Sequence, residues 1–288
     1  MMKCAFIGLG VMGYPMAGHL QQNGFATTVY NRTTSKAEQW VKTYGGKFAE
    51  TPREAAIDAD IVMVCVGNDD DVRSVFYGDD GLLNSISENT IVIDHTTASA
   101  ELARELSEQV HNRVALFLDA PVSGGQQGAE NGVLTAMIGG DKAAFEAAQE
   151  ALQCYCKTRE YMGQAGYGQL AKMVNQICIA GVVQGLSEGL QLARKAGLDP
   201  DALIRAISQG AAGSWQMQNR YKTMWQGHYE HGFAVDWMRK DLKIALAEAD
   251  RHGLSMPLTA LVDQFYAEVQ QMGGNRWDTS SLLARLEK

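Results

Sequence analysis

The sequence predicts a doubly wound α/β domain followed by an all-α domain, the two joined by one long helix. Three observations carry that expectation. Short apolar runs alternate with helical patterns over about the first 160 residues, as a parallel sheet with crossover helices requires. A glycine-rich turn, Gly8-Leu9-Gly10-Val11-Met12-Gly13, follows the first apolar run directly. Beyond Gly166 strand patterns stop and every segment reads as helix.

The elements follow in order. Lys3 to Ile7 is the first strand, and Met12 to Asn23 the first helix, with Met12, Met16 and Leu20 on one face. Ala26 to Tyr30, Ile61 to Val66, Ile91 to Asp94 and Ala115 to Asp119 are further strands. Ile61 to Val66 is unbroken in its apolarity, as a strand buried on both faces should be. Thr34 to Tyr44, Pro52 to Ala59 and Ser99 to Val110 are the intervening helices. Val133 to Ile138 then reads as strand and Asp141 to Leu152 as helix. From Gln169 to Lys195 no proline interrupts an apolar helical spacing, and Gly197 marks the stop. Such a helix spans roughly 40 Å, and its glycines and alanines predict burial between other helices. Pro200 to Ser208, Ser214 to Trp225, Asp236 to His252 and Pro257 to Met272 complete the helical half. The expected domains are 1–164 and 165–288.

Composition excludes several classes. The chain has 288 residues, 46% of them apolar, and carries 25 basic against 33 acidic side chains for a net charge of −8. With no basic block, neither nucleic acid nor a membrane is an expected partner. No run approaches the ~18 apolar residues of a membrane span, and the start enters a strand with no signal-type segment. The five cysteines form no C-x-x-C pair; Cys4, Cys65 and Cys178 sit in apolar runs that read as core. No metal or disulfide role is expected, and the compartment is read as a reducing cytoplasm. The six histidines show no paired spacing and no base role.

Strand, glycine turn and helix together form the context that makes G-x-G-x-x-G a dinucleotide fingerprint, the mark of a Rossmann-type domain. Gly8 permits the turn, Gly10 the approach of a pyrophosphate, and Gly13 close helix packing. An NAD ribose is usually held by an acidic residue at the end of the second strand. Here that place reads Asn31-Arg32-Thr33. Arg32 can pair with a 2′-phosphate and Thr33 can donate to it, so NADP(H) is preferred over NAD(H). Ligands of such a sheet bind beyond the carboxyl ends of its strands. The candidates there are Val66-Gly67-Asn68, Asp94-His95-Thr96-Thr97, with the Thr96 hydroxyl near the nicotinamide end, and Asp119 to Gly125, whose Ser123-Gly124-Gly125 is a cradle for a small carboxylate.

On the long helix, Lys172, Asn175 and Gln176 share one face at i, i+3 and i+4. A lysine on the buried side of such a helix is costly unless it has a task. Its ammonium can protonate the alkoxide formed when hydride reaches a carbonyl, and the neutral amine can take the proton back. Asn175 would hold the substrate oxygen or carboxylate. Lys240-Asp241 is a second charged pair, either cofactor-facing or part of a solvated stretch. Trp215, Phe233 and Trp237 read as core or as pocket walls.

Four ordered segments resemble the β-hydroxyacid dehydrogenase family, which includes 3-hydroxyisobutyrate dehydrogenase. They are Phe6 to Ala17, Asp119 to Gly125, Gly166 to Asn175, and Phe233 with Lys240-Asp241-Leu242. The resemblance implies a Rossmann-type domain and an all-α domain in a homodimer or homotetramer. It places Lys172 at the catalytic lysine, Thr96 beside the cofactor and Lys240 near the nicotinamide. It implies a small 3-hydroxy carboxylate or its semialdehyde as substrate, with Gln176 and Trp237 departing from the usual residues. An imine reductase of the same architecture, or a non-catalytic NADPH sensor, are the alternative readings.

Overall fold

The computed structural model describes residues 2–287, which divide into two compact units, 2–172 and 173–287. In the first unit the strands are β1 (Lys3–Ile7), β2 (Ala26–Tyr30), β3 (Lys47–Phe48), β4 (Ile61–Val64), β5 (Ile91–Asp94), β6 (Leu116–Asp119), β7 (Val122–Ser123), β8 (Leu134–Gly140) and β9 (Cys156–Gly163). Its helices are α1 (Gly13–Gln22), α2 (Thr34–Tyr44), α3 (Pro52–Ala56), α4 (Asp69–Phe76), α5 (Ala100–His111), α6 (Gly125–Glu130), α7 (Lys142–Ala147) and α8 (Gln149–Leu152).

The sheet runs β3-β2-β1-β4-β5-β6 in parallel, so the winding reverses between β1 and β4. Two faces of this sheet are covered. Leu9, Met16, Leu20, Trp40 and Tyr155 pack on one, and Val72, Phe76, Leu102, Leu106 and Phe117 on the other. Burial on both sides explains why β4 and β5 are wholly apolar up to Asp94.

The sheet is not parallel throughout. β8 runs antiparallel to β6 at Leu118–Asp119 and to β7 at Val122–Ser123, and β9 pairs parallel with β8. β9 has no strand signature in the sequence because Lys157, Arg159 and Glu160 interrupt it; as an edge strand it leaves Lys157, Glu160 and Met162 exposed. The helix expected over Asp141 to Leu152 is broken at Ala148 into α7 and α8. α4 also escaped the apolar pattern. Its signal is instead a cap: Asn68 Oδ1 accepts the Asp71 N–H at 2.9 Å, ahead of three acidic residues in the first turn.

The long helix α9 (Tyr167–Ala196) starts in the first unit and continues into the second. The second unit adds α10 (Pro200–Ile207), α11 (Trp215–Gln226), α12 (Val235–Arg251), α13 (Pro257–Gln271) and α14 (Leu282–Arg285). Ala180, Val183, Met238, Leu242, Val262 and Tyr266 form its main core. One face of α9 is not covered: Cys178, Gly185 and Gly189 are exposed, and open space surrounds a Cβ built at either glycine. This corrects the reading of Cys178 as core, because its apolar neighbours Val174 and Val182 lie on that same outer face. Cys65 is only partly buried. No helix among the described residues is long and apolar enough to cross a membrane.

Candidate active site

The glycine turn sits at the carboxyl end of β1, where the winding reverses. Gly8 has φ +99°, and a Cβ there would lie 2.3 Å from the Cys65 carbonyl oxygen; at Gly13 it would lie 2.0 Å from that of Gly8. Both positions are closed to any side chain. Gly10 differs: nothing lies within 4 Å of its Cβ position. The N–H groups of Val11 and Met12 find no acceptor among the described residues. An open cradle of backbone donors at a helix start is what a pyrophosphate requires, so these residues fit the dinucleotide.

Asn31 has a supporting task that the sequence did not show. Its Oδ1 accepts the Leu9 N–H at 2.9 Å, and its Nδ2 donates to the Thr33 carbonyl at 3.1 Å. The side chain thus ties the end of β2 to the glycine turn. Arg32 projects into solvent, its side chain 86% exposed, 3.4 Å from the Asp71 carboxylate. Such a surface pair is weak, so the guanidinium remains available to another anion.

At the carboxyl ends of β4 and β5 the polar groups are buried and joined. Thr96 Oγ1 accepts the Val66 N–H at 3.1 Å, and the Thr96 N–H donates to Asp94 Oδ1 at 2.9 Å. Burial pushes the Asp94 carboxyl up to about 7, against the hydrogen bonds from Thr96 that favour its charged form. His95 is internal too. The Ala120 carbonyl can only accept, so Nδ1 carries the proton at 2.7 Å, and Nε2 accepts the Tyr155 hydroxyl at 2.8 Å. Burial lowers its pKa to about 4, which keeps the ring neutral. Its role is to join β5 to the segment after β6.

The Asp119 carboxylate, at the end of β6, receives the start of α9. Oδ1 accepts the Gly166 N–H and Oδ2 the Gln169 N–H, each at 2.8 Å. Burial raises this carboxyl to about 6 although several N–H groups favour its charge. The wholly buried Gln169 side chain reaches back to the loop after β5. Its Nε2 donates to the Thr96 carbonyl at 2.7 Å and its Oε1 accepts the Ala98 N–H at 3.0 Å. Lys172 follows one turn later and is only 7% exposed. Ser123 is half-buried, and Gly124 and Gly125 are exposed with positive φ. The Asn68 side chain is committed to capping α4, which leaves the Val66-Gly67-Asn68 backbone as the part able to meet a ligand.

In the second unit, α9 and α12 bring four of the sequence candidates together. Lys240 Nζ lies 3.2 Å from Asp241 Oδ1, and Gln176 Nε2 donates to Asp241 Oδ2 at 2.7 Å. Asn175 Nδ2 donates to Gln176 Oε1 at 2.8 Å. The carboxylate can only accept, which fixes the Gln176 amide and in turn directs the amide nitrogen of Asn175 toward it. Asp241 is 2% exposed and Met238 is fully buried, so this is no solvated stretch. Trp215 and Trp237 are exposed rather than core, and Phe233 is half-buried against the helical core. Gln169 was not among the sequence-derived site residues, and Asp119 was read there only as the start of the Asp119 to Gly125 segment; the nearest signal for Gln169 is Gly166-x-Gly168-Gln169, one turn ahead of Lys172.

A nicotinamide-dinucleotide oxidoreductase is the class that this sheet, glycine cradle and buried lysine define. Comparison with known proteins agrees. Residues 3–163 match the NAD binding domain of 6-phosphogluconate dehydrogenase, and residues 166–286 match the NAD-binding domain of NADP-dependent 3-hydroxyisobutyrate dehydrogenase. An uncharacterized oxidoreductase of Shewanella frigidimarina is 62% identical over 100% of this chain and 99% of its own. The probable mitochondrial 3-hydroxyisobutyrate dehydrogenase-like 1 of Arabidopsis thaliana is 38% identical over 99% and 85%. The structure of Mycobacterium tuberculosis 3-hydroxyisobutyrate dehydrogenase with L-serine superposes with a TM-score of 0.91, covering 100% of both chains at 28% identity. The chain belongs to the β-hydroxyacid dehydrogenase family, whose members are NAD(P)-dependent oxidoreductases acting on hydroxyl groups.

Proposed function

We propose that this protein interconverts a small 3-hydroxy carboxylate and its semialdehyde with NADP(H), using Lys172 as general acid and base. The observation that carries the reading is the burial of Lys172 directly after the turn of α9 that is tied to the Thr96 loop. The bound nicotinamide supplies or accepts the hydride. Lys172 gives a proton to the carbonyl oxygen in reduction and takes the hydroxyl proton in oxidation. Ser123, Gly124 and Gly125 hold the carboxylate, Asn175 and Gln176 the rest of the substrate, and Lys240 lies with the cofactor. Arg32 and Thr33 select the 2′-phosphate.

A screen of 3-hydroxy acids and semialdehydes, followed by NADPH absorbance, tests the substrate class; activity on cyclic imines alone would overturn it. Lys172→Ala should lower kcat by at least ~100-fold, and a variant keeping most of its turnover removes the assigned role. The ratio of kcat/KM for NADPH and NADH tests the cofactor reading, which an NADH preference of about tenfold, or about 1.4 kcal/mol, overturns. We further read the protein as a homodimer or homotetramer. The exposed apolar face of α9, with Val174, Val182 and Leu192, supports that reading; light scattering of the purified chain tests it.

A further inference from the structure

We propose that Gln169, backed by Asp119, is a positioning residue that holds Lys172 in register with the loop carrying Thr96. The inference rests on the role proposed above for Lys172. Gln169 makes three contacts in three directions. Its Nε2 donates to the Thr96 carbonyl, its Oε1 accepts the Ala98 N–H, and its own N–H donates to Asp119. The two side-chain bonds grip the loop at both ends, two residues apart, so the loop can neither slide nor rotate past the helix. The N–H bond, with that of Gly166, fastens the helix start to the end of β6.

The surroundings are built around this carboxylate. A Cβ at Gly139 would lie 2.7 Å from Asp119 Oδ1, and one at Gly168 would lie 2.8 Å from Oδ2. At Gly168 the carbonyl oxygens of Asp119 and Met137 are closer still, at 2.5 Å, so both glycines let β6, β8 and the start of α9 approach closely around Asp119. Gln169 and Asp119 are both fully buried. An apolar side chain of similar size would fill the same volume without being desolvated. What an apolar residue could not do is fix the loop and the helix relative to each other. Lys172 lies on the next turn of the same helix face, so any rotation or slip of the first turn moves its ammonium directly. An error near 1 Å at a reacting group costs about 100-fold in rate.

The test is a double-mutant cycle in the full chain, joined to a readout that needs no substrate. Gln169→Met should lower kcat about 10- to 100-fold while changing KM far less. Combined with Lys172→Ala it should cost little beyond Lys172→Ala alone, because both changes remove one function. Losses that multiply would show that Gln169 acts elsewhere and would overturn the proposal. Independently, acylation of each lysine by a small activated ester is followed by mass spectrometry. Lys172 should be slow in the parent chain and at least about tenfold faster in Gln169→Met, with surface lysines unchanged. Unchanged Lys172 reactivity overturns the proposal even if no substrate is known. If Gln169→Met does not fold, Asp119→Asn, which keeps one acceptor oxygen, is carried through both measurements with the same criteria. Full turnover in Lys172→Ala defeats the assigned chemistry instead, so the two failures are distinct.

Discussion

The two ends of the candidate cofactor site in the first unit are built in opposite ways. At the end of β2, Arg32 stands in solvent with one weak partner, and only Asn31 is engaged with the backbone. At the ends of β5 and β6, Asp94, His95, Thr96, Asp119 and Gln169 are all buried and bonded to one another's segments. The contrast fits the roles proposed above for the two ends. A phosphate can be recognised by a mobile charge that is ordered only on binding, at some entropic cost. Proton transfer needs groups fixed before the substrate arrives. Substitutions at the buried end should therefore cost rate, and those at the exposed end cofactor affinity.

The largest expected effect is the ~100-fold or greater loss of kcat in Lys172→Ala, with NADPH affinity by fluorescence titration nearly unchanged. If affinity falls as much as rate, the division between the two ends is lost. Next comes Arg32→Ala. Loss of a charge-assisted contact to phosphate should lower kcat/KM for NADPH by roughly 10- to 100-fold and leave NADH almost untouched. An equal fall with both cofactors would mean that Arg32 does not read the 2′-phosphate.

Smaller effects concern stability. Asp94 has its carboxyl raised to about 7 in the fold, so the folded chain binds a proton that the unfolded chain releases. Its contribution is fully present below about pH 4 and is lost as pH rises through 7. His95 works the other way. With its pKa lowered to about 4, it contributes above pH 6.5 and loses that contribution as pH falls toward 4. Between pH 6.5 and 8 the carboxylate dominates the difference. Stability should decline there by roughly half a kcal/mol net, with a small share from Asp119, and Asp94→Asn should remove most of the decline in denaturant titrations. A slope that survives in the variant would assign it to another group. The smallest effect belongs to Asp71→Asn, which removes the partner of Arg32. Because the pair is largely solvated, the fall in Tm should be small and come mainly from the charge lost in the first turn of α4.

Much of this organisation was legible before the fold was known. Gly8 and Gly13 declare themselves because a close backbone approach admits no side chain, and β4 and β5 because strands covered on both faces are apolar without a break. Lys172, Asn175 and Gln176 shared a helical face by spacing alone. The Asp119–Gln169–Thr96 network was not legible, since its partners lie 50 and 73 residues apart. β9 was hidden by the charges of Lys157, Arg159 and Glu160, which an edge strand tolerates, and Cys178 was misplaced because an apolar segment does not say which of its faces is covered.

What the sequence determined by itself was local: the period of each element, the glycine turn after β1, the missing acid after β2, and a lysine on a mostly apolar helix face. These follow from backbone sterics and from side-chain repeats of two or 3.6 residues, which act over a few neighbours. The tertiary structure alone decided which polar groups are buried and what they touch. Hydrogen-bond partners and desolvation depend on segments brought together from distant parts of the chain. No periodicity records that Asp119 receives the helix of Lys172, or that Gln169 ties that helix to Thr96.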